Sequence, residues 1–233
     1  VLPMAKWLRD YYGCSLGDGL RQFAINKTVK KRRIHIDIEQ PNNSEISELN
    51  KATAEQASAL NKLKKFKATT VLLHGQTGSG KTYVYIECIK DALKLSKSAI
   101  VLVPEIALTS QLVTNISSQI KSQLVVFHSG LSQSERKRLW FKVLESSEPL
   151  VIVGPRSALF VPVKNLGLII VDEAHEQTYK QEQTPRYHAV RVASKLAQLT
   201  GSRAILGTAT PSVVDYYLAD KHKSIISLNS RAI

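Results

Sequence analysis

The sequence predicts an α/β fold: a parallel sheet covered by helices on both faces, preceded by a smaller helical module. Three observations point there. From Leu49 onward, short apolar runs alternate with helical patterns in the manner of repeated strand–helix–strand units. One of these runs, Val71-Leu72-Leu73, leads into Gly75-Gln76-Thr77-Gly78-Ser79-Gly80-Lys81-Thr82, after which a helical pattern begins at once. Another, Leu168-Ile169-Ile170-Val171, ends in the adjacent carboxylates Asp172 and Glu173. In a sheet of this kind ligands gather at the carboxyl ends of the strands.

Residues 1–48 read differently from the rest. Met4, Trp7, Leu8 and Tyr11 fall at i, i+3, i+4 and i+7, the spacing of an amphipathic helix that Gly13 and Gly17 interrupt. A short second helix is expected through Leu20 and Phe23. A basic run, Lys27 to Arg33, follows, and Ile34, Ile36 and Ile38 alternate with polar residues as in a half-buried strand. Helix, helix and strand suggest part of a small winged-helix-like module, and Pro41-Asn42-Asn43-Ser44 reads as its linker.

Beyond it, a helix is expected over Ala54–Leu63, then strands over Thr70–Leu73, Ala99–Val103, Leu124–Phe127, Leu150–Val153, Leu168–Val171 and Ala204–Leu206. Between them lie helices over Thr82–Leu95 and Leu108–Ile120, the latter with Leu108, Leu112, Ile116 and Ile120 recurring every four residues.

The chemistry sits at the strand ends. Glycines 75, 78 and 80 allow a tight turn whose backbone N–H groups point inward at a polyphosphate, and the following helix adds its positive end. Lys81 can reach the β- and γ-phosphates, and the Thr82 hydroxyl can ligate the Mg²⁺ that bridges them. Asp172 is suited to hold that ion, because magnesium favours oxygen ligands and keeps much of its water shell. Glu173, one residue on, is placed to orient and activate the water that attacks the terminal phosphate. Gly207-Thr208-Ala209-Thr210-Pro211 follows a further strand and brings two threonine hydroxyls beside these motifs.

Composition bounds the rest. The 233 residues are 43% hydrophobic with 11 glycines and 8 prolines, enough for an ordinary globular core. No apolar run approaches the about 20 residues that span a bilayer, so no membrane partner is expected. The first residues lack the basic flank and long apolar segment of a secretion signal, and a start on Val reads as a piece of a longer chain. Cys14 and Cys88 are too few and too far apart for a disulfide framework or a cysteine zinc site, which suits a reducing cytoplasm. Lys and Arg outnumber Asp and Glu by 32 to 19, a net charge of +13 that favours a polyanionic partner.

In their order, G-x-x-x-x-G-K-T, D-E-A-H and G-T-A-T-P resemble the first motor lobe of superfamily 2 helicases, and Asp172 to His175 match the DEAH box letter for letter. The resemblance narrows to the bacterial primosomal replication-restart DNA helicases at Leu102 to Thr109, at His128-Ser129-Gly130-Leu131-Ser132 with Glu135, Arg136 and Trp140, at Arg156 to Phe160, and at Tyr179 to Glu182 with Arg186 to Ala189. Met4 to Phe23 is similar as well, with less specific motifs, and Pro155 departs from the small residue or threonine common there.

The resemblance implies a RecA-like P-loop lobe over residues 49–233, ATP and Mg²⁺ as ligands, and 3′-to-5′ unwinding of DNA in replication restart and primosome assembly at stalled forks. Gln56 is then the glutamine that pairs with adenine. Thr109, Gln111 and Arg156 grip the DNA backbone, and His175 links phosphate chemistry to Thr208 and Thr210. The loop carrying Tyr179, Lys180, Arg186, Tyr187 and His188 couples single-stranded DNA to hydrolysis, with tyrosines stacking on bases. Forked and single-stranded DNA, primosome proteins and single-strand-binding protein are the implied partners, in a nucleoid-associated bacterial cytoplasm. In the family, a DNA 3′-end-binding domain precedes this lobe; two zinc ions on cysteine pairs and a second lobe with an arginine finger follow it. Two other functions stay open: another DEAH-box translocase, or a fragment that binds nucleotide and DNA without turnover.

Overall fold

The computed structural model describes residues 1–24, 52–67, 69–104, 111–120 and 123–231. Helices α1 (Leu2–Tyr12), α2 (Leu16–Arg21) and α3 (Ala54–Lys65) precede strand β1 (Thr70–Gly75). Then follow α4 (Lys81–Lys94), β2 (Ser98–Leu102), α5 (Gln111–Gln119), β3 (Leu124–Val126), α6 (Gln133–Glu145) and β4 (Val151–Gly154). The chain continues through a 3₁₀ turn (Arg156–Phe160), β5 (Leu166–Val171), a second 3₁₀ turn (Gln177–Tyr179), α7 (Ala189–Thr200), β6 (Arg203–Thr208), α8 (Val213–Lys221) and β7 (Ile225–Leu228).

The seven strands form one parallel sheet in the order β3-β4-β2-β5-β6-β1-β7. Every residue of β2 and β4 is buried, as expected for a sheet covered on both faces. Because side chains alternate along a strand, one face presents Leu72, Ile100, Leu102, Ile152, Ile169, Val171 and Leu206, which pack with residues of α1, α6, α7 and α8. The other presents Val71, Leu73, Val101, Val151, Val153, Ile170 and Ile205 to α3, α4 and α5.

All six expected strands are present within about two residues at their ends, a normal margin for element boundaries. β7, whose Ile-Ile-Ser-Leu is too short to stand out in the sequence, was not expected. It pairs with β1 beside the phosphate loop. Of the helix expected over Leu108–Ile120, residues 108–110 lie outside the described residues, and the part described runs from Gln111 to Gln119.

The first helices end where their glycine and capping chemistry dictates. Gly13 takes φ 65° and closes α1, and Ser15 with Asp18 forms a capping box at the start of α2. Helix α1 packs onto the lobe, with Met4 and Leu8 buried in the core that contains Val190 and Ala193; α2 packs on α1 where Gly19 meets Ala5, and Phe23, just beyond α2, meets Phe160 edge-on at 5.1 Å between ring centres. The strand expected over Ile34 to Ile38 lies outside the described residues.

The strand order decides the position of the site. β6 lies between β1 and β5, with Leu73 opposite Gly207, His74 opposite Thr208, and Val171 opposite Leu206. The segments leaving the ends of β1, β6 and β5 therefore emerge side by side.

Candidate active site

The loop between β1 and α4 takes a path that depends on its glycines. Gly78 and Gly80 adopt φ 81° and 82°, and Gly80 caps α4 without any side chain bonding to the helix's first amides. A Cβ on Gly75 would lie 2.6 Å from Ser79 Oγ and 3.0 Å from Leu228 Cβ. Ser79 Oγ is buried with no hydrogen-bond partner in the protein, an uncommon condition that suits a polar ligand. Lys81 is 7% exposed; its ammonium donates to the carbonyls of Gly75 at 2.9 Å and Gln76 at 3.4 Å, and lies 3.9 Å from Glu173 Oε1. A glycine turn at a helix N-terminus, with an unpartnered buried hydroxyl and a buried cation beside it, fits a polyphosphate, and Thr82 and Asp172 supply the oxygen donors that magnesium prefers.

Asp172 follows the last residue of β5, and its N–H donates to Leu102 O at 2.9 Å. Two phenols hold it. Tyr85, fully buried on α4, donates from its hydroxyl to Asp172 Oδ1 at 3.0 Å, and Tyr179 donates to the Asp172 carbonyl at 2.6 Å. Burial, and then the neighbouring Glu173 charge, push the Asp172 carboxyl up to about 6, while the Tyr85 bond and Lys81 partly oppose the shift. The Tyr85 phenol is itself held well above its ordinary value by burial and then by Asp172. Tyr85 escaped the sequence reading, although its position four residues after Lys81 places it on the same helix face.

Glu173 occupies the left-handed region with φ 44°, unusual for a residue with a side chain. Its carboxylate lies between Lys81 and His175, with Oε2 3.5 Å from His175 Nδ1. His175 Nδ1 is also 2.8 Å from Thr208 Oγ1, which accepts the N–H of Thr210 at 3.1 Å. Ala174 N–H donates to Gly207 O at 2.9 Å. The D-E-A-H and G-T-A-T segments thus join through backbone and side chain alike, a consequence of β5 and β6 being neighbours. Among the described residues no cluster of three or more His, Cys, Asp or Glu side chains forms a separate metal site, and no helix is long and apolar enough to cross a membrane.

The loop from Glu176 to His188 departs from its expected form. Tyr179 and Tyr187 are 1% and 2% exposed, so neither ring has a face open to a base. Tyr187 packs edge-on against Phe160 with ring centres 5.2 Å apart, and burial raises its phenol to about 12 against the opposing influence of Arg156. The physical reason is that the loop folds back on itself. Gln181 N–H donates to Tyr187 O at 2.8 Å, and Lys180 pairs with His188 as an isolated antiparallel bridge. Its aromatic residues consequently turn into the core.

The other expected nucleic-acid contacts divide by exposure. Arg186 is exposed, and exposed Lys180 donates to Arg186 O at 2.6 Å while its ammonium sits 5.8 Å from the Tyr12 ring centre. Arg156 is turned to the protein: Nε donates to Gln181 Oε1 at 2.9 Å, and the guanidinium also bonds Thr178 O. His188 caps α7 by accepting Val190 N–H, and its own N–H donates to the Tyr12 hydroxyl; burial lowers its pKa. Thr109 lies outside the described residues, and for Gln111 only the backbone at the head of α5 is described.

Gln56 is 4% exposed, and its Oε1 accepts the Thr53 N–H at 2.9 Å in a capping box. That oxygen has a second lone pair and the amide nitrogen two N–H donors, so the cap leaves room for the adenine contact expected of Gln56. The T-x-E-Q spacing carried the capping signal.

Comparison with known proteins follows the same lines. The DEAD/DEAH box helicase family is matched over residues 53–216. The chain is 50% identical over 150 residues to replication restart protein PriA of Bacillus subtilis (strain 168), covering 64% of this chain and 18% of that protein. It is 39% identical over 230 residues to the protein of that name from Helicobacter pylori (strain J99), covering 99% and 35%. The chain therefore spans only about a fifth to a third of the length of these curated relatives. In fold it is similar to the Pyrococcus furiosus Hef helicase domain, with TM-score 0.55, 17% identity and coverage of 76% of this chain and 38% of that one. It is also similar to the DUF1998 helicase MrfA bound to DNA, with TM-score 0.53, 17% identity, and coverage of 77% and 27%.

Proposed function

Because this chain belongs to the DEAD/DEAH box helicase family, we propose that it is the ATP-binding first motor lobe of a replication-restart DNA helicase, one that moves 3′ to 5′ on DNA at the expense of ATP. The observation that carries this reading is the meeting of Lys81, Asp172, Glu173 and Thr208, delivered by three adjacent strand ends, at a loop whose Ser79 hydroxyl has no partner in the protein. The restart assignment is supported by PriA relatives of 36% to 50% identity.

In this reading the amides of residues 75–80 and the start of α4 bind the triphosphate. Lys81 exchanges the Gly75 and Gln76 carbonyls for phosphate oxygens, a stronger charge-assisted pairing. Thr82 and Asp172 hold magnesium, which neutralises the charge that develops on the phosphates. Glu173 orients the attacking water and accepts its proton, and His175 ties that carboxylate to Thr208 and Thr210. Lys180 and Arg186 offer positive charge to a DNA backbone beside the site, and the +13 balance favours that partner.

Forked DNA, primosome proteins and single-strand-binding protein in a bacterial cytoplasm belong to the same reading. So do zinc and a second lobe in the further length that the relatives possess. The test is ATP turnover with and without single-stranded DNA, for this chain and for a version extended with the sequence that follows in its relatives. Stimulated turnover by the extended protein is expected. Nucleotide binding with no turnover in either would reduce the lobe to a binder.

A further inference from the structure

We propose that Tyr85 is a positioning residue for magnesium–nucleotide binding, one that fixes the Asp172 carboxylate and makes its position depend on Gly207. This inference rests on the nucleotide reading above and adds to it a residue outside the phosphate loop and the DEAH box.

Three segments meet at the Tyr85 hydroxyl. The side chain leaves α4 one turn after Lys81, crosses beneath the end of β6, and donates to Asp172 Oδ1 at 3.0 Å. It is fully buried, so neither water nor another rotamer readily replaces the contact. The passage exists only because residue 207 is glycine: a Cβ there would lie 1.5 Å from the phenol oxygen and 2.7 Å from Cζ. No close-packed interior tolerates such an overlap, so the presence of Gly207 and the placement of the hydroxyl are one feature.

The Asp172 carboxylate is held by two donors, the Glu173 backbone N–H from its own turn and the Tyr85 hydroxyl from across the sheet, and the phenol is the one that ties its orientation to another element. Without the phenol the carboxylate keeps only the local Glu173 amide and is freer to turn towards Lys81, away from the geometry that a magnesium shell demands. Gly207 also accepts the Ala174 N–H, so a shift of the G-T-A-T segment reaches Asp172 both along the DEAH backbone and through the phenol. Tyr85 thereby joins the helix that carries the phosphate lysine to the strand end that holds the metal, without touching nucleotide itself.

The test compares the parent chain with Tyr85→Phe, Gly207→Ala and the double variant. Binding of a fluorescent ATP analogue is titrated against magnesium, and thermal unfolding is followed alongside. Tyr85→Phe should still unfold cooperatively, at a somewhat lower temperature than the parent, and need about tenfold more magnesium for half-maximal binding, the effect of removing one hydrogen bond to a charged group. Gly207→Ala should raise the requirement at least as much, and the double variant should exceed Tyr85→Phe alone, because a Cβ at residue 207 still meets the ring's Cζ at 2.7 Å once the hydroxyl is gone. Should Gly207→Ala fail to fold, Tyr85→Phe decides by itself. A magnesium titration of Tyr85→Phe that superimposes on the parent's would overturn the inference while leaving the nucleotide reading intact. A parent that binds no nucleotide at any magnesium concentration would overturn both.

Discussion

Lys81 Nζ and Glu173 Oε1 lie 3.9 Å apart, a buried ammonium from the first residue of α4 facing a carboxylate from the end of β5 across the tip of β6. Neither holds the other at hydrogen-bond distance. The lysine's bonds go to the carbonyls of Gly75 and Gln76, which phosphate oxygens can outcompete.

Lys81→Ala is therefore predicted to weaken ATP binding by about 100-fold, the equivalent of two hydrogen bonds to a charged group. The fold should persist, since the carbonyls left behind belong to a loop at the sheet rim. Calorimetric titration with ATP and magnesium checks the first statement and a thermal melt the second. Parent-like affinity would remove Lys81 from the phosphate site.

Glu173→Gln separates binding from chemistry. The amide keeps the shape but not the charge that draws a proton from water, so hydrolysis by the extended protein should fall by at least about 100-fold while ATP affinity stays within a few-fold. Single-turnover measurement distinguishes this from slow product release. A variant that loses binding as thoroughly as Lys81→Ala would show that Glu173 is part of the phosphate grip.

Asp172 sets a pH dependence of stability in the nucleotide-free chain. Its folded pKa is raised from 3.8 to about 6, so the folded state binds the proton more tightly than the unfolded state does. Stability from this group is thus greatest below about pH 4, declines as pH rises towards 6, and stays low above it. Asp172→Asn should stabilise the chain by about 2 kcal/mol at pH 7.5 and by much less at pH 4.5. Chemical denaturation at the two pH values reads the difference. An equal effect at both would mean that the carboxylate is not charged at a cost in the folded protein.

The loop after the DEAH box makes opposite predictions for its buried and exposed residues. Tyr187→Ala removes a buried ring packed on Phe160 and should destabilise the chain by about 3 kcal/mol or more. Lys180→Ala and Arg186→Ala should leave the melting temperature nearly unchanged. In the extended protein they should instead flatten the salt dependence of single-strand binding, by about 0.7 in the log–log slope for each phosphate that is no longer neutralised. Unchanged slopes in both would place the DNA path elsewhere on the lobe.

Much of this protein was legible in its sequence because the signals are local. Short apolar runs such as Ala99 to Val103 and Leu150 to Val153 marked the strands, and their being continuous on both faces marked the sheet as parallel and covered. The glycines of the phosphate loop and the acidic pair ending β5 are chemistry that needs fixed spacing along one chain, so spacing alone exposed them. Tertiary structure decided whatever depended on which elements became neighbours. With β6 between β1 and β5, His175 meets Thr208, and the gap at Gly207 admits Tyr85 to Asp172, a contact spanning 87 residues of sequence. A polar loop with two tyrosines read as an exposed stacking surface, yet folding back buried both rings and left the charge of Lys180 and Arg186 outside. Gln56 read as an adenine ligand, and the structure adds that its amide oxygen also caps the helix it starts, at the Thr53 N–H. Periodicity tells which face of an element is apolar; which partner that face meets is determined only when the strands take their order in the sheet.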